Sequence, residues 1–226
     1  RYAQRGVEER SQEITMKQDI KHVGMGWIAV IIVAAILIVD QIIKIEVKTN
    51  MTLGEALHVT DWFYIEFIEN NGMAYGMTFI NKLVLSLFRL VAIGAIGWYI
   101  WRVVKSRLFS KGYIVCLAMV LAGAAGNLID CLFYGLIFEA STPFSVAGFV
   151  PFGEGYSSFL HGKVVDMFYF PIIQTTWPDW VPMWGGDDFV FFSPVFNFAD
   201  SCISVGVVLL LLFFRKDLER MSEAWK

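Results

Sequence analysis

Residues 25–43 read MGWIAVIIVAAILIVDQII, an apolar run interrupted by a single charge at Asp40. A helix crosses the hydrocarbon core of a bilayer in about 20 residues. This run has that length and no amphipathic stripe. Three more like it follow, at Leu83–Trp101, Tyr113–Phe133 and Phe196–Phe214. The 226-residue chain is 57% hydrophobic with a mean hydropathy of +0.58, where soluble domains are about 45–50% apolar. Four such runs in so short a chain argue against a soluble protein with buried helices. The expected fold is membrane all-α: four transmembrane helices, with a small β-element and extended loops on the outer face.

Lysine and arginine set the orientation, because they accumulate on the cytoplasmic side. Lys17 and Lys21 precede the first run; Arg102, Lys105, Arg107 and Lys111 link the second and third; Arg215, Lys216 and Arg220 follow the fourth. The stretch 134–195 holds Lys163 alone against Glu139, Glu154, Asp166, Asp179, Asp187 and Asp188. Both termini are therefore expected in the cytoplasm, and the connections 45–82 and 134–195 outside. In the first connection, Trp62, Tyr64 and Glu66 alternate imperfectly, which suggests short strands. In the second, Trp177, Pro178, Trp180, Pro182 and Trp184 suggest an interfacial segment.

The division expected is a polar segment 1–24, a single transmembrane domain 25–215 and a cytoplasmic tail 216–226. The opening RYAQRGVEERSQEIT lacks the apolar run of a signal peptide; residues 1–15 are expected to be an expression remnant, with Met16 the natural start. The net charge of −3 and the lack of a basic tract argue against nucleic-acid binding. Cys116, Cys131 and Cys202 read as small apolar residues, and His22, His58 and His161 lack metal-ligand spacing.

Ionisable residues within spans are costly and usually functional. Asp40 and Lys44 share a helix face near the end of the first span. Asn127 and Asp130 lie near the end of the third, Asn197 and Asp200 at the start of the fourth. The expected orientation puts all three pairs at one depth, near the outer face. Asn70-Asn71-Gly72 and Gly162-Lys163-Val164-Val165-Asp166 reach the same level from the connections. Other readings stay open for individual residues. Asp40/Lys44 can be a structural ion pair with the lysine snorkelling to the interface. Asn127 can be a hydrogen bond between helices, and Ala122–Gly126 is a small-residue packing face.

Asp166 and Asp200 together carry a chemical argument. Two carboxylates in a poorly hydrated site cannot both ionise easily, so one keeps a proton. The ionised partner can draw a proton from water while the other donates to a carbonyl oxygen. That is aspartic-peptidase chemistry, and it needs no metal or cofactor. Ser157, Ser158 and His161 lie close in sequence, but no GxSxG elbow surrounds them.

Asp40-Gln41-Ile42-Ile43-Lys44, Asn70-Asn71-Gly72-Met73-Ala74-Tyr75, Gly126-Asn127-Leu128-Ile129-Asp130, Val164-Val165-Asp166-Met167-Phe168 and Phe196-Asn197-Phe198-Ala199-Asp200-Ser201 occur in that order. In this the chain resembles the bacterial lipoprotein signal peptidases (signal peptidase II) from about residue 25 to 215. The resemblance implies an aspartyl endopeptidase of the bacterial inner membrane, its active site toward the periplasm. It would remove signal peptides from prolipoproteins on the N-terminal side of the diacylglyceryl-modified lipobox cysteine. Asp166 and Asp200 would be the dyad; Asn70, Gly72, Asn127, Asp130, Asn197, Asp40 and Lys44 would bind substrate or brace the site. The family inhibitor globomycin would block it, membrane lipids would surround it, and a monomer would suffice. The chain departs from the family at Cys131, where an arginine is usual, and in longer connections from Asp130 to Asp166 and from Asp166 to Asp200.

Two other functions compete. A transporter or channel would run protons or cations past Asp40, Asp130 and Asp200. It predicts polar residues throughout the membrane thickness, whereas the inner halves of the spans are apolar apart from Arg89. A non-enzymatic scaffold predicts that carboxylate changes are harmless.

Overall fold

The computed structural model describes residues 2–71 and 82–225, with side chains at 24–71 and 82–223. Helix α1 runs over Tyr2–Asn50, α2 over Lys82–Ser106 and α3 over Lys111–Ile129. α3 continues through a π-helical turn at Asp130–Tyr134 into a last turn, α4, at Gly135–Ile137. α5 covers Phe198–Phe213 and, after an 87° bend, α6 covers Arg215–Glu219. Among the described residues, three helices are long and apolar enough to cross a membrane, or four if the bent pair is one span.

Their surfaces carry the side chains a lipid phase accepts. Ile31, Phe88 and Val91 are 63%, 69% and 70% exposed, and apolar exposure of this extent along whole helices marks a membrane-facing surface. The chain is an integral membrane protein. α3 is its most buried helix and packs against α1, α2 and α5.

Close packing depends on small residues. A Cβ on Gly126 would stand 2.6 Å from Asp40 Oδ2, and one on Gly123 would strike the carbonyl of Ala199. The glycines therefore bring α1 and α5 against the α3 backbone. Met25, Ile100, Val103, Tyr113, Ile114 and Leu210 pack at one end of the bundle. At the other end, Val47, Phe67, Tyr134, Phe138, Val165 and Met167 form a second apolar cluster under a sheet.

That sheet contains β1 (Ala56–Thr60), β2 (Phe63–Asn70), β3 (Val164–Tyr169) and β6 (Val195–Phe196), in spatial order and with antiparallel neighbours. β4 (Ile173–Thr176) and β5 (Asp188–Phe191) form a separate hairpin. The β-element is thus larger than expected and draws on both long connections. Asp166, expected in a loop, is on β3. Val164–Met167 are all buried, so the strand lacks the alternation that would have revealed it. The connection between α4 and β3 folds back onto the end of α3: Ser157 N–H donates to Gly135 O at 2.8 Å and Gly162 N–H to Cys131 O at 3.0 Å.

Candidate active site

The π-helical turn begins at Asp130. Such turns are rare and concentrate at functional sites. Around it, buried polar side chains from α1, α3, β2, β3 and α5 meet between the two apolar clusters.

Asn197 is the hub. It is fully buried and is the N-cap of α5. Its Oδ1 accepts from Asp200 N–H at 2.9 Å, and its own N–H donates to Asp200 Oδ2 at 3.4 Å, a reciprocal capping box. Its Nδ2 donates to Asp166 Oδ1 at 2.7 Å and to Asn127 Oδ1 at 3.0 Å. One amide thus joins both aspartates. Asn70 Nδ2 donates to Asp166 Oδ2 at 3.2 Å, and Asn127 Nδ2 to Asp200 Oδ1 at 2.7 Å. Among the described residues neither aspartate forms an ion pair; their donors are neutral amides. Asp166 is 4% exposed, and Asp200 is half-buried. Burial, then the nearby Asp200 charge, pushes the Asp166 carboxyl up to about 7 against the amides that favour its ionised form.

Behind the pair lies a second layer. Lys44 is fully buried, which overturns snorkelling. Its Nζ pairs with Asp40 Oδ2 and Asp130 Oδ2, each at 2.9 Å, and donates to Asn127 Oδ1 at 2.8 Å. Each of these carboxylates in turn holds backbone beside the pair. Asp40 Oδ1 accepts from Ala199 N–H at 3.0 Å, next to Asp200. Asp130 Oδ2 accepts from Val165 N–H at 3.3 Å, next to Asp166. Asn127 does join helices, and it also reaches Asp200.

Of the residues singled out from sequence, Asp40, Lys44, Asn70, Asn127, Asp130, Asp166, Asn197 and Asp200 come together here. Gly72 lies outside the described residues. The sequence reading passed over Gln41 and Tyr134. Gln41 Nε2 donates to Asp130 Oδ1 at 3.0 Å, and Tyr134 O–H to Gln41 Oε1 at 3.1 Å. The signal for Gln41 was available: a polar residue inside an apolar run. Arg89 also belongs to this end of the bundle. Its Nη1 donates to Cys131 Sγ at 3.3 Å, so a guanidinium reaches the position after Asp130 from α2. Among the described residues, no group of three or more His, Cys, Asp or Glu side chains could hold a metal ion.

Comparison with known proteins identifies the family. The family model described as signal peptidase (SPase) II matches residues 32–215. The chain belongs to the signal peptidase II family. It is 44% identical to the lipoprotein signal peptidase of Porphyromonas gingivalis (strain ATCC 33277) over 211 residues, 93% of each chain. It is 35% identical to that of Amoebophilus asiaticus, covering 93% of this chain and 84% of the relative. A bacterial membrane enzyme solved by the in meso method at 2.3 Å resolution shares the fold, with a TM-score of 0.57 and 22% identity. That match covers 84% of this chain and 88% of the solved one.

Proposed function

We propose that the chain is an aspartic endopeptidase with Asp166 and Asp200 as its catalytic pair, cutting prolipoproteins on the N-terminal side of the diacylglyceryl-modified cysteine. Its family membership makes it a peptidase that removes signal peptides from prolipoproteins. The observation that carries the catalytic assignment is the Asn197 bridge. Asn197 holds the Asp166 carboxylate through its side-chain Nδ2 and the Asp200 carboxylate through its backbone N–H, with no cation bonded to either among the described residues.

The division of labour follows from their surroundings. Asp166, deeply buried, holds the shared proton near neutral pH. Asp200, the more accessible, is the base. Water attacks the scissile carbonyl carbon and yields a proton to Asp200 while Asp166 donates to the carbonyl oxygen. The resulting gem-diol collapses: the C–N bond breaks, the leaving nitrogen takes the proton from Asp200, and a diol hydroxyl returns one to Asp166. Asn70, Asn127 and Asn197 orient both carboxyls, and the Asp40–Lys44–Asp130 layer fixes the backbone beside them.

The setting is the bacterial inner membrane. Residues 25–215 form the peptidase domain, with four spans, both termini in the cytoplasm and the dyad toward the periplasm. The pattern of basic residues supports this orientation. The substrate's signal helix would lie against the apolar helix faces, bringing its cleavage point to the dyad. A monomer suffices, no cofactor is needed, and globomycin would block cleavage.

The test supplies purified protein with a prolipoprotein, with and without its diacylglyceryl group, in the presence of EDTA. The expected product, from the modified precursor only, begins at the lipidated cysteine. Cleavage elsewhere, equal cleavage of unmodified precursor or loss of activity in chelator contradicts the reading.

A further inference from the structure

One turn beyond Lys44 on α1, Lys48 is also fully buried. A buried ammonium needs a counter-charge and hydrogen-bond acceptors. Lys48 Nζ pairs with Glu69 Oε1 and donates to Ser141 Oγ at 2.7 Å. It also lies 5.1 Å from the Tyr156 ring centroid and 5.3 Å from that of Phe138. Ser141 Oγ donates to Glu69 Oε1 at 2.9 Å, and Lys163 Nζ to Glu69 Oε2 at 2.9 Å. Tyr156 Oη accepts from Lys163 N–H at 2.6 Å. Burial opposes ionisation of Glu69, but Lys48 and Lys163 outweigh it and hold the carboxyl below its usual range.

This cluster touches neither Asp166 nor Asp200, yet it sits at the point that sets Asp166. In the β2–β3 ladder Glu69 faces Val165, and Asn70 faces Val164. The register shifts between Ile65 and Ile68, so regular pairing does not carry the alignment past that irregularity. Pairing resumes with Ile68 opposite Asp166; Glu69, the next residue and tied on both carboxylate oxygens, holds that resumed register, and Asn70 beside it holds Asp166 Oδ2. On the other side, Lys44 holds Asp200 through Asn127.

The geometry points to Lys48 and Glu69 as positioning residues for Asp166: of two successive lysines on one face of α1, Lys44 reaches both halves of the dyad, through Asn127 and Asp130, and Lys48 adds a second hold on the β3 half alone. The connection between α4 and β3 closes the second clamp with Ser141 and Tyr156. A purely structural role explains the cluster less well, because a buried ion pair stabilises a fold no better than apolar residues of the same volume. A catalytic pair, by contrast, tolerates little displacement. This inference rests on the dyad reading above.

The test measures kcat and KM separately on diacylglyceryl-modified prolipoprotein, using the full chain in lipid nanodiscs. Glu69→Gln keeps the volume but removes the charge and turns one of the two acceptor oxygens into a donor. It is expected to lower kcat by about 10- to 100-fold with KM changed by no more than about twofold. Asn70→Ala acts on the same link, so the Glu69→Gln/Asn70→Ala double variant is expected to be no slower than the slower single variant. Ser141→Ala provides a second perturbation and is expected to lower kcat in the same way. Asp200→Asn is run alongside. If Asp200→Asn keeps full activity, the dyad reading fails. If it is inactive while Glu69→Gln keeps wild-type kcat, or while the two losses multiply in the double variant, the clamp is overturned and the dyad stands.

Discussion

Asn197 does two separable jobs, and two substitutions take them apart. As the N-cap it satisfies a free N–H of α5; as the bridge it gives Asp166 Oδ1 its 2.7 Å donor. Alanine removes both functions. Losing the cap costs about 1 kcal/mol, and leaving a buried acceptor one donor short costs about 1–3 kcal/mol. Asn197→Ala is therefore expected to be destabilised by about 2–4 kcal/mol in total. Serine caps helices as well as asparagine does but cannot reach both Asp166 and Asn127. Asn197→Ser is expected to be about 1 kcal/mol more stable than Asn197→Ala. Both variants free Asp166 from its tie to Asp200 and are expected to lose about 100-fold in kcat. The assay pairs unfolding in detergent with initial rates of prolipoprotein cleavage. Wild-type turnover by Asn197→Ser would refute the bridge; equal stability of the two variants would refute the cap.

The basic limb of the pH–rate profile should fall above about pH 7, as Asp166 loses the proton it must donate. Asn70→Ala, which removes a donor favouring the ionised form, should move that limb upward. The same raised carboxyl makes folding less favourable as pH rises from its ordinary value near 4 towards about 7, because the folded chain binds the extra proton; unfolding titrations across that window should show the decline. Gly126→Ala drives a Cβ into Asp40 and should cost about 1–3 kcal/mol of stability by thermal unfolding. Cys131→Arg sets a second guanidinium against Arg89 and should cost about 3 kcal/mol or more, whereas adding Arg89→Leu to the same chain should recover most of that loss.

The residues explain what could be read from sequence and what could not. The apolar runs and the few polar residues within them are local signals, because each such residue is expensive in lipid. That is why Asp40, Asn127, Asp130 and Asn197 stood out. Lys44 stood out only with Asp40 and stayed open to snorkelling, and Lys48 did not stand out at all, because both look like a helix leaving the membrane. Their partners (Asn127, Asp130, Glu69 and Ser141) are supplied by segments far away in the chain. β3 was hidden because it is buried on both faces. The start of α5 shifted from Phe196 to Phe198 because Phe196 pairs with β3 and Asn197 caps the helix. Arg89 read as an exception within the inner halves of the spans until α2 packed it against Cys131.

The central claim is that Asp166 and Asp200 perform the cleavage together. The most direct measurement is single-turnover cleavage of diacylglyceryl-modified prolipoprotein by Asp166→Asn and Asp200→Asn, each shown to be folded by its thermal unfolding. The account predicts that each variant binds the precursor and fails to cut it. Cleavage at the wild-type rate by either one contradicts it.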